Sequence, residues 1–140
     1  MIDNFFKSWI AHCSVIPLYV AIGGMIGALL RYAISGVIQG KRYFPIGTLA
    51  VNVTGSFFVG FVMFSSEYYG LFSQEMRTLI TIGFLGSFTT MSTFSYESLR
   101  LLMEGNLIYF AENIILNIVG CLLAVYFGRI AALTVWRMGM

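Results

Sequence analysis

The sequence predicts an all-α integral membrane protein, a single domain of four transmembrane helices whose third is broken. Three features point there. Of its 140 residues, 59% are hydrophobic and only 10% charged, against about 25% charged in a soluble domain, and the mean hydropathy is +0.86. Four apolar runs are long enough to cross a bilayer, which takes about 20 residues. Inside the third, Gly83-Phe84-Leu85-Gly86-Ser87-Phe88-Thr89-Thr90-Met91-Ser92-Thr93-Phe94-Ser95 is dense in Gly, Ser and Thr. Lipid cannot satisfy a broken backbone, so irregular chain at membrane depth persists only where protein buries it or a polar cavity lines it.

The spans run over about 15–38, 46–66, 76–103 and 107–133. Ahead of them, residues 1–12 read as an interfacial lead-in with Phe5, Phe6 and Trp9 at headgroup level. That stretch carries Lys7 and lacks the apolar core of a secretory leader. Gln39-Gly40-Lys41-Arg42 ends the first span. Pro45 suits the first turn of the second helix, where a missing N–H costs little. Residues 67–75 and Glu104-Gly105-Asn106 make the remaining connections, which are too short to hold a soluble domain.

Four spans put both termini on one side. That side carries Lys7, Arg77, Arg129 and Arg137, and the other carries Arg31, Lys41, Arg42 and Arg100. Lys and Arg normally set orientation by staying cytoplasmic; four against four sets none. Either some of these Arg are buried and do not count, or the chain inserts both ways and pairs antiparallel about a two-fold axis in the membrane plane. A net charge of +2 gives no nucleic-acid signal. Cys13 and Cys121 have no CxxC spacing and read as unpaired, and His12 is the only histidine, so neither a zinc site nor a His-based triad is expected.

Polar side chains at membrane depth are functional candidates by default. Thr48, Asn52 and Ser56 recur at every fourth residue of the second helix, and Asn113, Asn117 and Cys121 do so in the fourth. These uncharged stripes either hydrogen-bond between helices or line a pathway. Gly23-x-x-x-Gly27 and Ser56-x-x-x-Gly60 fit close helix packing. The sequon Asn52-Val53-Thr54 falls mid-span and is accidental. Glu112 belongs near the interface, whereas Arg31 and Glu97 lie toward helix ends, where both could face a watery vestibule; by physics alone Arg31 snorkels to the surface. A break in the 83–95 run would free backbone groups able to coordinate an ion. Met91 and Phe94 share a face beyond it. They serve either as ordinary packing or, through the positive edge of a ring, as a surface that favours a small anion. No Lys or Arg lies in residues 78–99 to trap such an anion.

Together these residues resemble the Fluc (CrcB) family of fluoride channels, from Ala21 to about Arg129. Gly23-Gly24-Met25-Ile26-Gly27-Ala28-Leu29-Leu30-Arg31-Tyr32 looks like that family's first-helix signature, and Gly47-Thr48-Leu49-Ala50-Val51-Asn52-Val53-Thr54-Gly55-Ser56-Phe57 like its second. The 83–95 run resembles its broken third helix, with Glu97 following. The resemblance implies a dual-topology antiparallel homodimer in the cell membrane, with two pores that let fluoride leave a microbial cell. It also implies a structural Na+ held by backbone carbonyls, here those of Gly86 and Thr89. Asn52 and Thr48 would line the pore, and the family's two-phenylalanine box maps to Met91 and Phe94. Ser95, Asn113, Asn117 and Cys121 would continue a polar track, and Arg31 and Glu97 map to the vestibule.

One position departs: the family pattern Thr-Thr-Phe-Ser-Thr-Phe-Ser has Met91 in place of its first Phe. A thioether is more flexible than a ring, so reduced or altered conduction with an intact fold is expected. The main rival is a small multidrug-type four-helix exporter, but such exporters need a carboxylate in the first helix, and residues 15–38 contain no Asp or Glu. A structural subunit of a larger membrane complex is a second rival, and an intramembrane enzyme lacks any nucleophile–base pair.

Overall fold

A computed structural model describes the backbone of residues 2–137 and the side chains of residues 16–135 and 137. Every secondary-structure element of the described chain is helical. Helix α1 covers Ile2–Gln39, α2 Ile46–Tyr69 and α3 Gln74–Thr78; a π-helical segment follows over Leu79–Leu85, then α4 Gly86–Phe88, α5 Met91–Met103 and α6 Leu107–Arg137. Among the described residues, three uninterrupted helices are long and apolar enough to cross a membrane: Ile16–Gln39, Ile46–Tyr69 and Leu107–Val135. The fourth stretch, expected over 76–103, is divided at Thr89-Thr90 between α4 and α5, so its break is real.

Two boundaries differ from expectation. Residues 2–12 continue α1 as helix rather than forming a separate lead-in; the side chains of Phe5, Phe6, Trp9, His12 and Cys13 lie outside the described residues. At 38 residues α1 is about 57 Å long, longer than the ~30 Å hydrocarbon core requires. Pro45 occupies the N-cap of α2, one residue ahead of its first turn, and its carbonyl accepts from Leu49 N–H (3.2 Å). Gly40, Gly70 and Gly105 follow α1, α2 and α5 with positive φ of 51°, 62° and 76°, the left-handed conformation that a side chain disfavours.

Glycines set how the helices pack. A Cβ on Gly23 would strike the Leu79 carbonyl oxygen, and one on Gly27 the Phe84 carbonyl. The Gly23-x-x-x-Gly27 stripe thus lays α1 directly on the π segment, and Gly83 returns the contact against the Val20 carbonyl, at 2.9 Å from an added Cβ. In the second pairing, Gly60 of α2 sits on Val125 of α6 while Gly128 of α6 sits on the Phe57 carbonyl. Close backbone approach through small residues is how helices gain van der Waals contact where lipid removes the hydrophobic drive. The result is a chain of contacts with α2 in the middle. It packs chiefly on α6; the first half of the broken helix packs on α1, and α5 packs on α6. Val51, Leu85, Leu101 and Ala132 are the most buried side chains of the apolar core, which also holds Phe88 and Phe94. Outward positions such as Leu29, Val37, Ile115 and Leu122 stay exposed, as a bilayer-facing surface requires.

Candidate functional site

The site is built around the break. Thr89 is extended (φ −84°, ψ 158°), as is Thr90 (φ −148°, ψ 110°), which caps α5 by accepting Thr93 N–H at its Oγ1 (3.2 Å). Asn52, on α2 opposite, holds the break open. Its Oδ1 accepts Thr90 N–H (2.7 Å) and its Nδ2 donates to the Thr90 carbonyl (3.2 Å). Thr90 N–H is the donor that a continuous helix would offer to the Gly86 carbonyl, and Thr93 N–H the one it would offer to Thr89. Both are diverted, so the Gly86 and Thr89 carbonyls lose their helical donors, as do those of Ser87 and Phe88 between them, whose partners Met91 and Ser92 open α5. Hard, uncharged oxygen donors suit Na+. Among the described residues no cluster of three or more His, Cys, Asp or Glu competes for a metal.

The amides run on from the break. Asn52 Nδ2 also donates to Asn117 Oδ1 (3.0 Å), Asn117 Nδ2 to the carbonyl and Oδ1 of Asn113 (both 3.0 Å), and Asn113 Nδ2 to Ser98 Oγ (2.9 Å). Ser98 Oγ donates in turn to the Phe94 carbonyl (2.7 Å). Asn52, Ser98, Asn113 and Asn117 are all buried.

Beside the break lies a cavity of about 320 Å³, lined by Asn52, Ser56, Thr89, Thr90, Met91, Phe94, Asn117 and Cys121, with Val59, Ile118 and Val125. Gly55 lets the broken helix come this close, since a Cβ there would strike Thr89 Cγ2. A second cavity of about 180 Å³ opens on the other side of Thr90, lined by Arg31, Tyr32, Ser35, Thr48, Thr90 and Thr93. Arg31 Nε is buried there without a hydrogen-bond partner; Oε2 of Glu97, which does not line this cavity, is also buried and unpartnered.

The chain matches the family model described as CrcB-like protein, Camphor Resistance (CrcB), over residues 18–129. It belongs to the CrcB family. Among its relatives, the protein named fluoride-specific ion channel FluC 1 of Methanosarcina acetivorans is 56% identical over 117 residues, 83% of this chain and 89% of that protein. The FluC of Methanococcus aeolicus is 52% identical, covering 86% of this chain and 97% of its own. That of Geobacter sulfurreducens is 43% identical, covering 82% and 94%.

In this CrcB-family chain, six residues expected at the site meet at the larger cavity: Asn52, Thr89, Met91, Phe94, Asn117 and Cys121. Phe94 is buried and Met91 is 70% exposed. Thr48 and Arg31 line the smaller one. Ser95 is exposed and donates to the Met91 carbonyl (2.9 Å), and Gly86 is exposed; neither lines a described cavity. Asn113 stands behind Asn117, fully buried. Two residues escaped the sequence reading. Thr90 is the hinge between the cavities, foreshadowed by its place three residues before Thr93, the spacing of an N-cap. Ser98 was not singled out; the one signal was that a helix serine can return its hydroxyl to the carbonyl four residues before it, here that of Phe94.

A polar tie closes one end of the bundle. Tyr43, between α1 and α2, donates its hydroxyl to Glu104 Oε2 and accepts from Asn106 Nδ2. Its ring packs on Tyr109 at 5.7 Å, and Arg100 Nε lies 3.7 Å from Glu104 Oε1. The hydrogen bond to Glu104 raises the Tyr43 phenol above its ordinary value.

Proposed function

We propose that this chain is a passive, selective fluoride channel of the cell membrane, working as an antiparallel homodimer of four-span subunits with two pores. The observation that carries it is the pinned helix break: a backbone interruption held open by Asn52 and facing a cavity that joins amides, hydroxyls and a buried phenyl ring without a Lys or Arg. The names of the relatives, fluoride-specific ion channels, support the substrate.

The chemistry follows from the ion. Fluoride is small and strongly hydrated, so a path must replace its water with donors. Asn52 and Asn117 amides, the hydroxyls of Thr48 and Ser95, and the positive edge of Phe94 would serve, with the Met91 methyl in place of a second ring. Asn113 backs this track from behind Asn117. Arg31 and Glu97 would stand at the vestibule. Because no strong countercharge meets the ion beyond that point, it would not be held. The even division of Lys and Arg supports insertion in both directions. The outward face of the broken helix, exposing Gly86, Met91, Ser95 and Tyr96, supports a second copy against it. There the carbonyls of Gly86 and Thr89 would hold a Na+, which when bound supplies positive charge that joins the copies and softens the potential met by an anion. The first span has no Asp or Glu over residues 16–39, which disfavours a proton-coupled exporter.

Expression in a bacterial host made fluoride-sensitive by loss of its own exporter tests the reading in cells. Restored growth in millimolar fluoride is expected; unrelieved sensitivity with the protein present in the membrane would refute it.

A further inference from the structure

We propose that Ser98 and Asn113 are positioning residues for the anion path, acting through an amide relay whose direction is dictated by one backbone N–H at the helix break; their role in conduction rests on the channel reading above. The polarity follows link by link. Thr90 N–H can only donate, so the Asn52 atom 2.7 Å away is oxygen. The Asn52 nitrogen therefore faces Asn117, whose facing atom must accept and is oxygen. Asn117 then presents nitrogen to the Asn113 carbonyl, itself an acceptor only, and to Asn113 Oδ1. That leaves the Asn113 nitrogen toward Ser98 Oγ. Ser98 accepts there, so its own proton goes to the Phe94 carbonyl. No amide in the series can flip without breaking a buried bond on each side of it.

The relay begins at Thr90 and ends on the main chain of Phe94, so it ties both residues to α2 and α6. Its far members touch no ion: Ser98 and Asn113 lie outside the cavity that holds Asn52, Asn117 and Phe94. Burial denies them water as a substitute partner, and in a low-dielectric interior each bond strengthens the next. Their effect on an anion is indirect. Asn52 gives one amide hydrogen to the Thr90 carbonyl and the other to Asn117. An arriving anion must compete with that carbonyl for the first, while the bond to Asn117 keeps the side chain in place. Loosening Asn117 from behind loosens the donor the anion meets.

Ser98→Ala removes the last hydroxyl with little change in volume or helix propensity, and Ser98→Thr restores a hydroxyl. Fluoride efflux from liposomes, normalised to folded protein, is measured beside hydrogen exchange of the backbone around the break. Couplings of this kind are worth about threefold to thirtyfold. Ser98→Ala is expected to lower flux within that range and to speed exchange at Thr90, and Ser98→Thr to return both to within about twofold of the parent. Ser98→Cys, with a weak donor of similar size, should fall between. Unchanged flux in Ser98→Ala, or reduced flux with Thr90 exchange unaltered, overturns the relay. Failure of the channel reading is told apart, since a parent chain that passes no fluoride fails before any variant is compared.

Discussion

Replacing Asn52 by alanine should unpin the break. The side chain makes three bonds: it accepts Thr90 N–H, and it donates to the Thr90 carbonyl and to Asn117 Oδ1. Its site is buried, so water does not take over. Between helices in membranes such bonds are worth about 0.6–2 kcal/mol each. Losing three therefore costs about 2–6 kcal/mol, with the orphaned Thr90 groups pushing toward the upper end. The freed Thr90 N–H would then turn back toward the Gly86 carbonyl and re-form a helical turn where the break now stands. Reversible unfolding in detergent gives the first quantity, and hydrogen exchange across 86–94 gives the second. The expected variant unfolds more readily, protects Thr90 differently and conducts poorly. A variant within about 0.5 kcal/mol of the parent, with the same exchange pattern, would refute the pinning.

Met91 is 70% exposed and borders the cavity that holds buried Phe94, so Met91→Phe should raise fluoride flux severalfold while changing stability by less than about 1.5 kcal/mol; equal flux would remove any role for the ring. Gly27→Ala would drive a Cβ into the Phe84 carbonyl, whereas Gly36 has nothing within 4 Å. The first should destabilise by about 1–3 kcal/mol, and Gly36→Ala should be neutral or slightly stabilising; similar melting of the two variants would refute the backbone contact of α1 with the π segment. The Tyr43 phenol is raised above 10.0 by its bond to Glu104. A raised acid contributes stability that is complete below its unfolded value and lost as pH rises through the folded one. The tie should therefore hold through neutral pH and release only in strong alkali. Ultraviolet titration should show Glu104→Gln bringing the Tyr43 transition down, and an unmoved transition would contradict the bond.

Much of the architecture could be read from local pattern. Apolar run length gave three uninterrupted helices, and the Gly, Ser and Thr density of 83–95 gave the place of the break, because backbone that lipid cannot satisfy needs partners. The polar stripes of α2 and α6, each placed on one face by its four-residue spacing, meet at Asn52 and Asn117. What stayed hidden depends on tertiary contact. The π segment answers the close approach of Gly23 and Gly27 from another helix, and nothing in Leu79–Leu85 alone encodes an extra residue per turn. Asn52 read as a lining donor, but its oxygen and both its amide hydrogens are engaged, a fact visible only once Thr90 and Asn117 are set around it. Gly55 stood in the second-helix signature without a role of its own, since its value lies in the Thr89 methyl that fills the space a side chain would take.

Purified protein in liposomes loaded with fluoride or with chloride puts the whole account to its most direct test. The break, the uncharged donors and the ring edge predict rapid fluoride efflux down its gradient and no measurable chloride efflux. Equal rates for the two ions, or no efflux of either from folded protein, would contradict it.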